Sequence, residues 1–140
     1  MLVQEALLPV FVQVGLIFFL MFWMGGARVG AVKRREARIG DIALGQPNWP
    51  PAVMQVSNAY HNQFQLPVLF FVLVAFALIT RKADIIFVVM AWMFVVARMA
   101  HVAIHVTTNR VHQRFYAFLV SAVVLLLMWI IFAVRILVAI

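Results

Sequence analysis

The residues of this chain best suited to chemistry are an arginine and two histidines, Arg98, His101 and His105, spaced by three and then four. At 100° per residue they share one face of a helix, with His105 about 10 Å along the axis from Arg98. They sit in IIFVVMAWMFVVARMAHVAIHV, Ile85–Val106, an otherwise apolar run long enough to cross a bilayer. A cation at the centre of such a helix costs roughly 2.5–3.5 kcal/mol on insertion scales. That face therefore meets protein, water or an anionic ligand, not lipid tails. Arg98 is either a structural charge, bonded to amides and freed carbonyls, or a ligand-binding one. Histidines at i and i+4 also suit a metal, but no carboxylate or cysteine lies near enough in the sequence to complete a site. Helix packing is the better reading of the pair, and no metal is expected.

A second polar set precedes it. Gln55, Asn58, Asn62 and Gln65 follow spacings of three, four and three, with His61 beside them. All lie within about 120° of one helical face. Amides inside a bundle need partners, since an unpaired one costs about 2 kcal/mol or more. The simplest role for this stripe is interhelical hydrogen bonding, which is compatible with a ligand shell. Pro67 follows, and its ring removes the bond to the Gln63 carbonyl and is expected to kink the helix. Asn109, Arg110, His112 and Arg114 continue the polar zone beyond Val106. Two polar faces at similar depth would make a pocket rich in cations and amides, fit for carboxylates or phosphates.

The elements that must carry these residues are membrane spans. The chain has 140 residues, of which 67% are hydrophobic and 11% charged, and its mean hydropathy is +1.09. A soluble domain this small needs far more polar surface. The reading is one all-α integral membrane domain over 1–140, a left-handed four-helix bundle. Its spans fall at about 6–24, 53–79, 85–106 and 115–139. Gly25-Gly26 is expected to end the first. The second, at 27 residues, is about 40 Å of helix against a core of about 30 Å, so its polar first half belongs at the interface or inside the bundle. Cysteine is absent, which excludes disulfides, thiolate metal sites and a cysteine nucleophile. No cleavable signal peptide is read, because the first apolar run is too long for one and leads into a basic loop.

The connections carry the charge. The loop 25–51 holds Arg28, Lys33, Arg34, Arg35 and Arg38 together with Pro47, Pro50 and Pro51, and the short loop 107–114 holds Arg110 and Arg114. Only Arg81, Lys82 and Arg135 lie on the other side. Seven cations against three put both basic loops in the cytoplasm and both termini outside. The net charge of +7 is thus a topology signal and an anionic-lipid contact, not a nucleic-acid footprint. A channel or transporter is the weaker reading, because the polar residues gather in one half of the bundle and do not line a full path.

Two strings, AYHNQFQLPVLF (Ala59–Phe70) and ARMAHVAIHVTTNRVHQRF (Ala97–Phe115), then resemble a known family. Four spans, a long basic first loop, an Asn-x-x-Glu-like motif before a proline in the second span and an arginine in the third are similar to MAPEG, the membrane-associated proteins of eicosanoid and glutathione metabolism. The resemblance covers most of the chain and implies a homotrimer that binds glutathione between subunits near the cytoplasmic face. It implies that Asn62 matches the family's asparagine and Arg98 its arginine. Gln65 stands where a glutathione-binding glutamate is usual, and Asn58 where an arginine is common. His101 and His105 occupy positions often held by His or Tyr. Arg114 or Arg110 would activate the thiol. The function implied is a glutathione-dependent transferase or peroxidase acting on a lipophilic small molecule. The alternative is a non-catalytic member that binds a lipid or other amphiphile, which the glutamine at 65 and the asparagine at 58 favour. The compact chain and the likeness to prokaryotic members point to a bacterial inner membrane.

Overall fold

The computed structural model describes residues 3–44 and 48–138. Pro47 and the last residue of the expected fourth span, Ala139, lie outside the described residues. The elements are α1 (Val3–Lys33), the short α2 (Ile39–Ile42), α3 (Pro51–Asn62), α4 (Leu66–Ile79), α5 (Ile85–Val106) and α6 (Val111–Leu137). Four stretches are long and apolar enough to cross a membrane, α1, α3 with α4, α5 and α6.

Consecutive spans run antiparallel, and the core contacts fix their register. Near the basic loops Ala31 of α1 packs with Val53 of α3. Further in, Leu20 of α1, Ala59 of α3 and Val102 of α5 form one buried cluster. The far half holds the main core, in which Phe70, Leu73, Val74 and Ala77 of α4 meet Phe87, Ala91, Phe94 and Val95 of α5 and Val124, Leu125 and Met128 of α6. Phe70 and Phe94 stack there with centroids 4.7 Å apart. The apolar core thus occupies one half of the bundle and leaves the other for polar groups. Outward residues such as Phe11, Phe22 and Ile79 are 61%, 71% and 77% exposed, as expected of surfaces that lipid or another subunit covers.

Three differences from the expected bounds are the largest. Gly25-Gly26 does not end α1, which continues to Lys33. A glycine in a helix costs about 1 kcal/mol relative to alanine, and the extension offsets this by burying Ala31 against Ala37 and Val53, with Ala27 and Trp49 packed on them. Its end is a Schellman motif, with Glu36 N–H on the Ala31 carbonyl and Arg35 N–H on that of Val32. Arg35 takes the left-handed position at φ 60°. The same motif closes α4, with Lys82 N–H on Ala77, Arg81 N–H on Leu78 and Arg81 at φ 58°. The second span is not one kinked helix but two, separated at residues 63–65. Finally, α6 begins at Val111, four residues before the expected Phe115.

Candidate functional site

The break in the second span falls inside its polar stripe, between Asn62 and Leu66. Over residues 63–65 the backbone tightens, with Gln63 N–H bonding Tyr60, Phe64 N–H bonding His61 and Gln65 N–H bonding Asn62, each three residues back. Gln65 then leaves helical geometry at φ −100°, ψ −102°, and α4 restarts with a proline in its first turn, where a missing N–H does no harm. Asn62 ends α3 and uses both ends of its amide. Its Nδ2 donates to Gln65 Oε1 at 2.9 Å, and its Oδ1 accepts from Arg98 Nη2.

Asn58, His61, Asn62 and Gln65 form one wall of a cavity of about 500 Å³. His101 and His105 of α5 form the second wall, and Val111, Arg114, Phe115 and Phe118 of α6 the third. The two histidine rings sit one turn apart, edge to face, with centroids separated by 5.6 Å. Their Nδ1 atoms are buried with no hydrogen-bond partner. Among the described residues no group of three or more His, Cys, Asp or Glu could hold a metal.

The turn between α5 and α6 aims Arg114. Asn109 adopts φ 50°, which asparagine tolerates better than most residues, and its N–H closes onto the Ile104 carbonyl at 2.7 Å. Its side-chain Oδ1 accepts from Arg114 Nη1 at 2.8 Å. Arg114 thus stands one turn into α6 with its guanidinium anchored at the cavity. Arg110, the residue flanking the start of α6, is exposed and off the wall.

The sequence-derived set therefore divides. Asn58, Asn62, Gln65, His101, His105 and Arg114 come together around one space. Arg98 is fully buried and does not line that space. It lies behind Asn62, with Nε and Nη1 unpartnered. Gln55 is partly buried and off the wall as well. Sequence reasoning missed the wall from Val111, Phe115 and Phe118: it started the last helix after Val111, and it took Phe115 and Phe118 for ordinary apolar residues of that span. His61 was visible only as a neighbour of the stripe.

No acidic side chain lines the cavity among the described residues. Its charge comes from Arg114 on the wall and from Arg98 one side chain behind. A concave site lined by one sign of charge between low-dielectric walls concentrates the opposite charge. It can hold an anion, and a thiol held beside Arg114 would ionise more readily.

Four apolar spans around a cationic, amide-rich cavity define an integral membrane protein with a polar cavity in one half of the bundle. The chain belongs to the MAPEG family, whose model matches residues 6–134. That family includes glutathione transferases and peroxidases and also non-catalytic members. No curated protein and no solved structure matches the chain.

Proposed function

We propose that this protein is a glutathione-dependent transferase or peroxidase acting on lipophilic electrophiles in a bacterial inner membrane. The observation that carries the reading is the cavity itself, where six amide and imidazole side chains and one anchored guanidinium converge with no carboxylate among them. Asn58, Asn62, Gln65, His101 and His105 hold the peptide. Arg98 acts through Asn62, and Arg114 favours the thiolate by charge, so no protein nucleophile is needed. In conjugation the thiolate sulfur bonds the electrophilic carbon as that carbon's bond to a leaving group breaks, the leaving group departs with the electron pair, and the thiol proton goes to solvent. In the peroxidase reaction two glutathione thiols become one disulfide as a hydroperoxide becomes an alcohol and water. An apolar groove of about 570 Å³ along α5 and α6, with Trp92, Met93, Val96 and Val124 on its surface, suits the second substrate. Three copies form the working unit, with the basic segments 25–51 and 107–114 cytoplasmic and both termini outside.

Calorimetry on the purified protein, whose mass in detergent should be three times the 15.9 kDa chain, tests this together with conjugation of a generic electrophile. Binding heat at millimolar glutathione and measurable turnover are expected. Arg98→Leu should weaken binding by at least about tenfold, the loss of one charge-assisted bond that orients Asn62. No heat and no turnover would sink the proposal. One observation favours the second reading, a non-catalytic binder of an anionic amphiphile. The oxygen of Gln65 is already engaged by Asn62, so the ammonium of glutathione meets no carboxylate on the wall. Binding of such an amphiphile without turnover would establish that alternative.

A further inference from the structure

Two glutamines that the site does not use are buried together in the middle of the bundle. Gln13 lies on α1 and Gln63 at the break between α3 and α4, and both are fully buried. Gln13 Nε2 donates to Gln63 Oε1 at 2.8 Å. Gln63 Nε2 donates in turn to the Ala59 carbonyl at 2.9 Å. That carbonyl is the one the break would orphan. In a continuous helix it would accept from the N–H of Gln63, but this N–H bonds Tyr60 instead. The Gln63 side chain substitutes for its own backbone, and Gln13 satisfies the oxygen left over.

The break is thus clamped from two sides. Arg98 of α5 holds Asn62 from one, and Gln13 of α1 holds Gln63 from the other. Residues 62 and 65, on either side of Gln63, are the ones that the break presents to the cavity. The Gln13 bond lies in a segment where a freed backbone carbonyl finds no water to bond, so the break has no cheap alternative geometry while the pair is intact.

We infer that Gln13 is a positioning residue of the cavity: by holding Gln63 it fixes the 63–65 break, and through it the entry of Asn62 and Gln65. The inference rests on the proposed function only in taking glutathione as the ligand. Without Gln13 the Gln63 oxygen loses its donor and the amide turns toward others, Ala59 loses the bond from Gln63, and the two helices sample more than one angle.

The chain has no cysteine, so introduced ones report alone. Spin labels at Ala52→Cys and Val72→Cys, both exposed and off the cavity wall, flank the break. Labelled chains are diluted with unlabelled ones so that distances within one chain dominate. The parent should give one narrow distance distribution. Gln13→Leu should broaden or shift it and weaken glutathione binding at least tenfold. Gln63→Leu should do the same, and the double variant should be no worse than either single one. An unchanged distribution in both single variants overturns the inference. So does a changed distribution with unchanged affinity, or multiplicative losses in the double variant. Absence of glutathione binding in the parent overturns the functional reading instead, and the distances still decide whether Gln13 holds the break.

Discussion

A thiolate gains most from a cation that keeps its proton and stays in place. Arginine meets the first condition at any physiological pH, and the turn before α6 meets the second, since Asn109 holds the Arg114 guanidinium at 2.8 Å. Arg110, four residues earlier, is exposed and has no such seat. The two therefore separate by mutation. Arg114→Ala should lower turnover at neutral pH by about 10²-fold, the usual scale for losing one preorganised electrostatic group, whereas Arg110→Ala should stay within about twofold. The sign of the pH effect follows from the same charge. Removing a neighbouring cation raises the thiol pKa, so the rate of Arg114→Ala should recover as pH rises and its profile should move to the alkaline side. Steady-state rates from pH 6 to 9 on both variants check this, and equal losses would show that neither arginine faces the thiol. In the sequence the pair is indistinguishable, because the positive φ of Asn109 decides which one reaches the cavity. Arg98 is the converse case. Helical spacing assigns it to a protein-facing side, which its burial bears out, but spacing says nothing of what stands between a side chain and a cavity, and Asn62 stands there.

The helices are tied at the far end by an ion pair. Asp84 caps α5 by accepting from Phe87 N–H at 3.0 Å, and Arg135 near the end of α6 reaches its other oxygen at 2.7 Å. The hydrogen bond from Arg135 holds the Asp84 carboxyl below its usual value of 3.8, against the opposing effect of burial. A depressed folded pKa means that the pair stabilises the fold fully above the unfolded value and loses that contribution as pH falls through the folded one. Asp84→Asn keeps the capping oxygen and removes the ion pair. It should melt slightly below the parent at pH 6, by an amount equivalent to about 0.2–1 kcal/mol for so exposed a pair, and the difference should close below about pH 3.8. Thermal melts at both pH values in one detergent check this, and a constant difference would exclude the ion pair as its source. At this scale much was legible. The third span, Ile85–Val106, has its expected bounds, because an apolar run follows an aspartate that can cap it. The long α1 was not, since the glycines marked a stop while the burial of Ala31 that carries the helix onward is tertiary. The 63–65 break was half legible. Pro67 announced a disturbance, but its form depends on the bond between Gln13 and Gln63, a contact between two spans that spacing along either one does not reveal.

Across the whole molecule the charge is lopsided along the bundle axis. Arg28, Lys33, Arg34, Arg35, Arg38, Arg110 and Arg114 lie at the end that also holds the cavity, and Arg81, Lys82 and Arg135 at the other. The antiparallel packing makes this asymmetry spatial, because the turns after α1 and α5 are at one end and the α4–α5 turn and the end of α6 at the other. Lysine and arginine in short loops are retained on the cytoplasmic side, so the cavity should open toward the cytoplasm, where an anionic peptide and an anionic leaflet surface both meet a basic rim. Single cysteines decide it, since the parent has none to label. Ala43→Cys and Thr108→Cys sit at the basic end and Val138→Cys at the other, and all three positions are exposed. In spheroplasts a membrane-impermeant maleimide should label Val138→Cys at once, and Ala43→Cys and Thr108→Cys only after permeabilisation. The opposite pattern would invert the protein and place the cavity on the outer side, where a cytoplasmic thiol could not supply it. Equal labelling of all three would mean that seven cations against three do not fix one orientation.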